Sequence, residues 1–167
     1  EFLTGLGAAN QAEGLLTASG VTEVISGHAS QIKAEGLINI YYGLKSPYTG
    51  AARWRLNRLT SRDIRSLKDG NGVFIWAPGI AGATPNTIMG TPYVEIPGMD
   101  NVGAGNYPVI FGDIKRAYTV VDRIGMQMQT DFTTGADDGI VIFRARKRVG
   151  GGVFQTEAYQ KLKIAAA

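Results

Sequence analysis

Apolar positions divide the chain into an early part with helical spacing and a later part that alternates. Residues 1–20 show little periodicity and are punctuated by glycine; Phe2, Leu3, Leu15 and Leu16 are the side chains expected to pin them to a core. Between Ala29 and Leu44, the residues Ile32, Leu37, Ile38, Tyr41 and Leu44 recur at near-helical spacing and predict a helix. Ser30 is placed to cap it and Pro47 limits its extension. Gly36 weakens its middle by about 1 kcal/mol relative to alanine. Ala52 to Leu56 reads as a short strand that alternates apolar and basic residues. Thr60 and Asp63 then have the spacing of a capping box, with Ile64 and Leu67 facing inward and Gly70 as the stop. Asn71-Gly72 predicts a turn into an apolar strand over Val73 to Trp76.

The remainder is stranded. A loop over 77–90 leads to a strand from Thr91 to Ile96, where Pro92 suggests a start at an edge. A second glycine-rich loop runs from Pro97 to Asn106. Val109–Phe111, Ala117–Arg123 and Met126–Thr130 predict strands, joined by turns at Gly112–Lys115 and near Gly125. Ile140 to Arg148 is strongly β, and Gly150-Gly151-Gly152 is expected to break it; Ala158 to Ile164 closes the fold as a strand. Helices first and many antiparallel strands later give the class α+β.

Composition narrows the function more than the fold. The 167 residues suffice for one medium domain or two small lobes. A chain of this size buries roughly 70% of its unfolded surface and needs no staple. There is no cysteine, which excludes disulfides and thiolate chemistry. Charged residues are only 19%, as suits a protein that covers its surface with partners. Lysine and arginine exceed the acids by 17 to 14, a net charge of +3 that is compatible with an anionic partner. No apolar window is long enough to cross a bilayer, and no basic start leads into an apolar stretch. There is no internal repeat. The opening at Glu1 reads as the interior of a longer protein, so a fragment or processed product is expected.

Candidate chemistry fails at each motif. Gly5-Leu6-Gly7 lacks the third glycine and the preceding strand of a dinucleotide fingerprint. Val102-Gly103-Ala104-Gly105-Asn106 lacks the lysine and hydroxyl of a phosphate loop. His28 is the single histidine, too little for a metal centre without cysteine, and reads as a capping or surface residue. Asp137-Asp138-Gly139 lacks the later glutamate of a calcium loop and reads as a turn. No nucleophile elbow is present and no carboxylate pair stands out. The expectation is therefore no catalytic, cofactor or metal residue and no small-molecule substrate. Two basic clusters remain: Arg53, Arg55, Arg58, Arg62, Arg65 and Lys68, and Arg144, Arg146, Lys147 and Arg148. Alternation puts Arg144, Arg146 and Arg148 on one strand face. That stripe suits either a charge-matched subunit interface or non-specific contact with DNA.

The order of these motifs resembles the C-terminal part of tailed-bacteriophage (prophage) major capsid proteins. FLTGLGAANQAEGLL resembles the family's phenylalanine-leucine-x-glycine-x-glycine segment, without the proline usual before its closing glycine-leucine pair. AARWRLNRLTSRDIRSLKDGNGVFIW resembles its strand, asparagine-arginine pair, short helix and lysine-aspartate-x-x-glycine run. MGTPYVEIPGM, VIFGDIKRAYTVVDRIGMQM and RARKRVGGGVFQTEAYQKLKI resemble the strands that follow, in the same order.

The resemblance implies the Hong Kong 97-type fold and a structural shell subunit, not an enzyme. Carried over, residues 1–25 are a P-domain segment, 26–118 the A-domain, 119–154 P-domain strands, and 155–167 a return strand to the A-domain. The N-terminal arm, extended loop and spine helix would precede Glu1. With no asparagine in Asp137-Asp138-Gly139-Ile140, no covalent cross-link is expected. The implied partners are further copies of the chain, forming hexamers and pentamers of an icosahedral shell around double-stranded DNA. Scaffold, portal and DNA contacts are further implied partners; no membrane partner is. The implied location is the virion, assembled in the bacterial host cytoplasm. The loops carrying Gly79, Pro85 and Asn86 and carrying Met99, Asn101 and Asn106 are the candidate capsomer contacts. Without its preceding parts the chain is expected to be monomeric or weakly associated. An encapsulin-type compartment around cargo enzymes is the alternative shell.

Overall fold

The computed structural model describes residues 2–8, 11–75, 87–134 and 136–165. Two strands without an exposed residue form its centre: β5 (Val109–Gly112) and β8 (Tyr159–Lys163), paired antiparallel. β1 (Thr22–Ile25) joins the free side of β8 in parallel. β2 (Arg53–Leu56) lies antiparallel on the free side of β5, and β4 (Thr91–Glu95) parallel to β2. The two-residue β3 (Thr87–Ile88) closes the sheet, whose order is β1-β8-β5-β2-β4-β3.

The period of two in a strand gives this sheet two unlike faces. One carries Trp54, Leu56, Val109, Phe111 and Leu162, all buried, under α1 (Ala34–Gly43) and α3 (Arg58–Arg65) through Leu37, Ile40 and Ile64. The Trp54 and Phe111 rings lie 4.3 Å apart, and the indole N–H donates to the Ile88 carbonyl at 3.0 Å. A buried indole keeps its polar handle satisfied in this way. On the other face Ile110 and Tyr159 pack under Leu15, Leu16, Ala18 and Val21 of the opening segment. The short α2 (Ser46–Thr49) and α4 (Ile114–Ala117) make the corners; the Asp113 side chain caps α4 by accepting from the Lys115 N–H at 3.1 Å.

From α4 the chain runs into a long two-stranded ribbon, β6 (Tyr118–Asp131) against β7 (Ile142–Val153). Its root is fastened to the body: the Tyr118 hydroxyl donates to the Glu13 carbonyl at 2.6 Å. Most of its length is exposed.

Several expectations are corrected. The first helix starts at Ala34, not Ala29, because residues 26–30 close a local turn: the Ser30 N–H donates to Nδ1 of His28 at 3.1 Å, so Ser30 is no cap. The second helix starts before Thr60. Asn57 is its cap, Oδ1 accepting from the Thr60 N–H at 2.7 Å, and Thr60 is buried inside the helix. That helix ends at Arg65, short of Gly70. The stretch after Asn71-Gly72 is a small hairpin arm, bridged between Lys68 and Phe74, with Val73, Phe74 and Ile75 exposed; Trp76 lies outside the described residues. Gly125 does not end a strand, because β6 absorbs its extra residues in register shifts between Asp122 and Gln127. The three glycines at 150–152 do not break β7. Gly151 lets the backbone approach Tyr118, whose hydroxyl would lie 2.6 Å from a Cβ there.

Candidate functional site

The first candidate loop falls outside the described residues, and Gly79, Pro85 and Asn86 with it. The second is held in place by a side chain that the sequence reading used only as part of a motif. Asn57 Nδ2 donates to the carbonyls of Met99 and Asp100 at 3.0 and 3.1 Å and to Oδ1 of Asn101 at 2.6 Å. Asn106 Nδ2 donates to the Asn101 carbonyl at 3.1 Å, and the Gly105 N–H reaches the Ile164 carbonyl at 3.1 Å. Met99 is buried in the core that Ile110 and Tyr159 form with the opening segment, so its side chain anchors the loop inward. Asn101 and Asn106 are the members of this group placed at the surface. One amide thus caps α3 and fixes the loop to it.

The arginine stripe stands apart from this loop, on the ribbon. Arg144, Arg146 and Arg148 pair in register with Gln129, Gln127 and Ile124, so all three share one face and all are exposed. Arg144 lies 3.3 Å from the Asp131 carboxylate. The N–H groups of Thr134 and Thr133 and the Thr134 hydroxyl hold that carboxylate below its usual pKa, and Arg144 adds to them. The opposite face carries Met128, Phe143 and Val149, which are exposed, with the Lys147–Asp122 pair at 2.9 Å beside them. The ribbon thus carries the three arginines on one side, and exposed apolar side chains with one ion pair on the other.

Beneath the opening segment lies a polar cluster that the alternation of the last strand did not disclose. Lys161 is 3% exposed, and its Nζ donates to the carbonyls of Leu16 and Ala18 at 3.1 and 3.0 Å. Glu23 stands 3.7 Å away and also binds Lys163 and the Tyr107 hydroxyl, at 3.1 and 2.6 Å. Burial lowers the Lys161 pKa, and Glu23 works against that shift. The Tyr107 hydroxyl, followed by burial and by Lys163, bears on Glu23, whose carboxyl is lowered on balance. Every donor here serves another group of the same fold. The cluster clasps the opening segment to the last strand. Among the described residues no group of histidines and carboxylates could hold a metal ion, and no helix is long and apolar enough to cross a membrane.

Among the described residues an α+β sheet carries helices on one face, and a two-stranded ribbon projects from it. The family model described as the phage capsid family matches residues 1–164. The chain belongs to the phage capsid family. Its similarity to solved structures agrees with that membership. At 30% identity and a TM-score of 0.80 it resembles a chain of the capsid of an empty GTA particle, with 95% of this chain and 58% of that one covered. Against the capsid of a native GTA particle the values are 30% identity, TM-score 0.73, and 87% and 55% coverage. A chain of Gordonia phage Cozz shares the fold at 16% identity and TM-score 0.59, over 95% of this chain and 56% of that one. No curated protein sequence matches. The chain therefore spans somewhat over half the length of the capsid chains it resembles. Its fold is the Hong Kong 97-type major capsid fold, and family and fold point to a structural role rather than an enzymatic one.

Proposed function

We propose that this chain is the tile of a major capsid subunit that self-assembles into hexamers and pentamers of an icosahedral shell enclosing double-stranded DNA. The observation that carries the reading is colinear similarity: one capsid family model spans residues 1–164, and 95% of the chain superposes on a particle subunit at 30% identity. In this reading residues 26–118 and 155–167 are the A-domain, and 1–25 and 119–154 belong to the P-domain. The subunit works without catalysis. Copies bury complementary edges in heterologous contacts, which close around five- and six-fold axes.

The tied loop over 97–106 and the loop carrying Gly79, Pro85 and Asn86 are the proposed contacts near those axes. The stripe of Arg144, Arg146 and Arg148 is the proposed cationic surface for a neighbour or for packaged DNA. Scaffold and portal are further proposed partners, and the proposed location is the virion, after assembly in the bacterial cytoplasm. Purified particles test the reading through their contents. A shell holding double-stranded DNA is expected. A shell holding a cargo enzyme with a short targeting tail would instead make the protein an encapsulin-type compartment.

A further inference from the structure

Among the described residues, one half of the second sheet face is uncovered. The half made by β8 and β5 lies under the opening segment, whereas the half made by β2 and β4 carries Arg53, Arg55, Pro92 and Val94, none of them buried. At the step between the halves is an open cleft of about 770 Å³, to which Lys115 and Asp113 also contribute. Arg55 is half-buried in it and spends Nη1 on two carbonyls, of Gly112 at 3.1 Å and of Arg53 at 3.3 Å. Burial and the neighbouring Arg53 charge both lower its pKa, against a smaller opposing effect of Asp113. Asp113 itself is engaged by Arg116 at 3.7 Å and by the Lys115 N–H. Among the described residues Arg53, Arg55 and Lys115 form no ion pair, and the one carboxylate lining the cleft, Asp113, is engaged by Arg116. A half-buried guanidinium gains most from a carboxylate that meets it with two oxygens.

The complementary charge lies at the other end of the molecule. Asp137 and Asp138 sit in the 3-10 turn at the ribbon tip, exposed and, among the described residues, without an ion pair. The 14 residues of β6 carry that tip about 40 Å from the root. Lys115 is only three residues before the root at Tyr118, so a tip cannot reach its own cleft. A contact between cleft and tip can therefore form only between copies, head to tail. The recess, walled by Pro92 and Val94, fits a short acidic turn better than the continuous backbone of a duplex.

We propose that the Arg53–Arg55–Lys115 cleft receives the Asp137–Asp138 tip of a second copy of this chain. This rests on the self-assembly reading above.

The test couples carboxylates to lysines with a carbodiimide in assemblies grown from equal amounts of light and 15N-labelled protein, both expressed from the complete gene. Mass spectrometry is expected to find Lys115 joined to Asp137 or Asp138 in mixed-isotope pairs. Charge reversal supplies the second measurement. Arg53→Glu with Lys115→Glu, and separately Asp137→Lys with Asp138→Lys, should each weaken self-association at least tenfold, and the two sets combined should restore most of it. All four positions are exposed, so circular dichroism should show an intact fold in every variant. If particles form but Lys115 couples elsewhere, or is shielded by nucleic acid, and reversal changes nothing, the docking contact is wrong and the shell reading stands. If no oligomer forms under any condition, both are wrong.

Discussion

Lys161 donates a hydrogen bond from Nζ to the carbonyl of Leu16 at 3.1 Å, between residues 145 positions apart in the chain. A second bond, to the Ala18 carbonyl at 3.0 Å, makes this ammonium the pin that holds the opening segment on the sheet. Lys161→Met keeps the apolar stem and leaves both carbonyls without their donor. Hydrogen bonds to a charged group are worth about 1.5–3 kcal/mol each, so unfolding by urea should show a loss of about 3 kcal/mol. An unchanged midpoint would mean that the segment is held by its leucines alone.

Tyr159 makes the fold sensitive to alkali. Its hydroxyl donates to the Leu15 carbonyl at 2.9 Å, and burial, with smaller contributions from Glu13 and Tyr118, pushes its pKa up. A tyrosine in the unfolded chain ionises near pH 10, whereas the folded one keeps its proton. The unfolded state therefore holds fewer protons above that pH, and stability should fall as the pH rises beyond about 10. Tyr159→Phe should start lower by about 1 kcal/mol for the lost bond and then decline less steeply. Parallel slopes for the two proteins between pH 9.5 and 11 would contradict this.

Asn57 does two jobs with one amide. Oδ1 caps α3, and Nδ2 holds the loop at Met99 to Asn101. Asn57→Ala loses both, an expected cost of about 2–3 kcal/mol when a cap of about 1 kcal/mol is added to the buried donor bonds. Asn57→Asp keeps the capping oxygen and loses the donor, so it should fall between. Faster hydrogen exchange at Gly105 in both variants would report the freed loop. An aspartate variant as unstable as the alanine one would show that the loop bonds, not the cap, dominate.

Gly112 permits the crossing of β5 and the turn before β8. Its φ is +150°, and a Cβ there would strike the Ala158 carbonyl and the Tyr159 backbone. Because the obstacles are backbone, they cannot move aside cheaply. Gly112→Ala should cost more than about 3 kcal/mol or leave the protein insoluble, whereas the same change at Gly50, which has open space around it, should cost little. Thermal unfolding of the two variants side by side decides the point.

How much of this was legible beforehand depends on the range of the interaction. Trp54 and Leu56 announce their strand because alternation is a local property, and β2 was placed within a residue of its bounds. The helix near Asn57 was found but its cap was not. Thr60 and Asp63 imitate a capping box, and only the N–H direction at Thr60 shows that the asparagine before it is the acceptor. The glycine triplet and Gly125 were read as breaks, since local preference cannot anticipate Tyr118 pressing on Gly151 or a bulge absorbing spare residues. Lys161 was the least legible. Its partners are carbonyls of a segment with no periodicity, so nothing near it in sequence marks it as buried. The arginine stripe, by contrast, follows from the period of two alone and keeps its common face in the ribbon.

The ion pairs of the ribbon should matter little to folding. Arg144 and Lys147 are about half exposed, and their pairs with Asp131 and Asp122 are of the kind worth about 0–1 kcal/mol. Arg144→Ala should shift the unfolding free energy by less than about 1 kcal/mol. A larger loss would assign the stripe a structural role within the subunit rather than a surface role between subunits.

The most direct test of the shell-building account is electron microscopy of the protein expressed from its complete gene. The account predicts closed particles whose repeating density fits the six-stranded sheet with its projecting ribbon, in rings around five- and six-fold axes. Only dispersed monomers, under every condition of concentration, salt and co-expressed phage proteins tried, would contradict it.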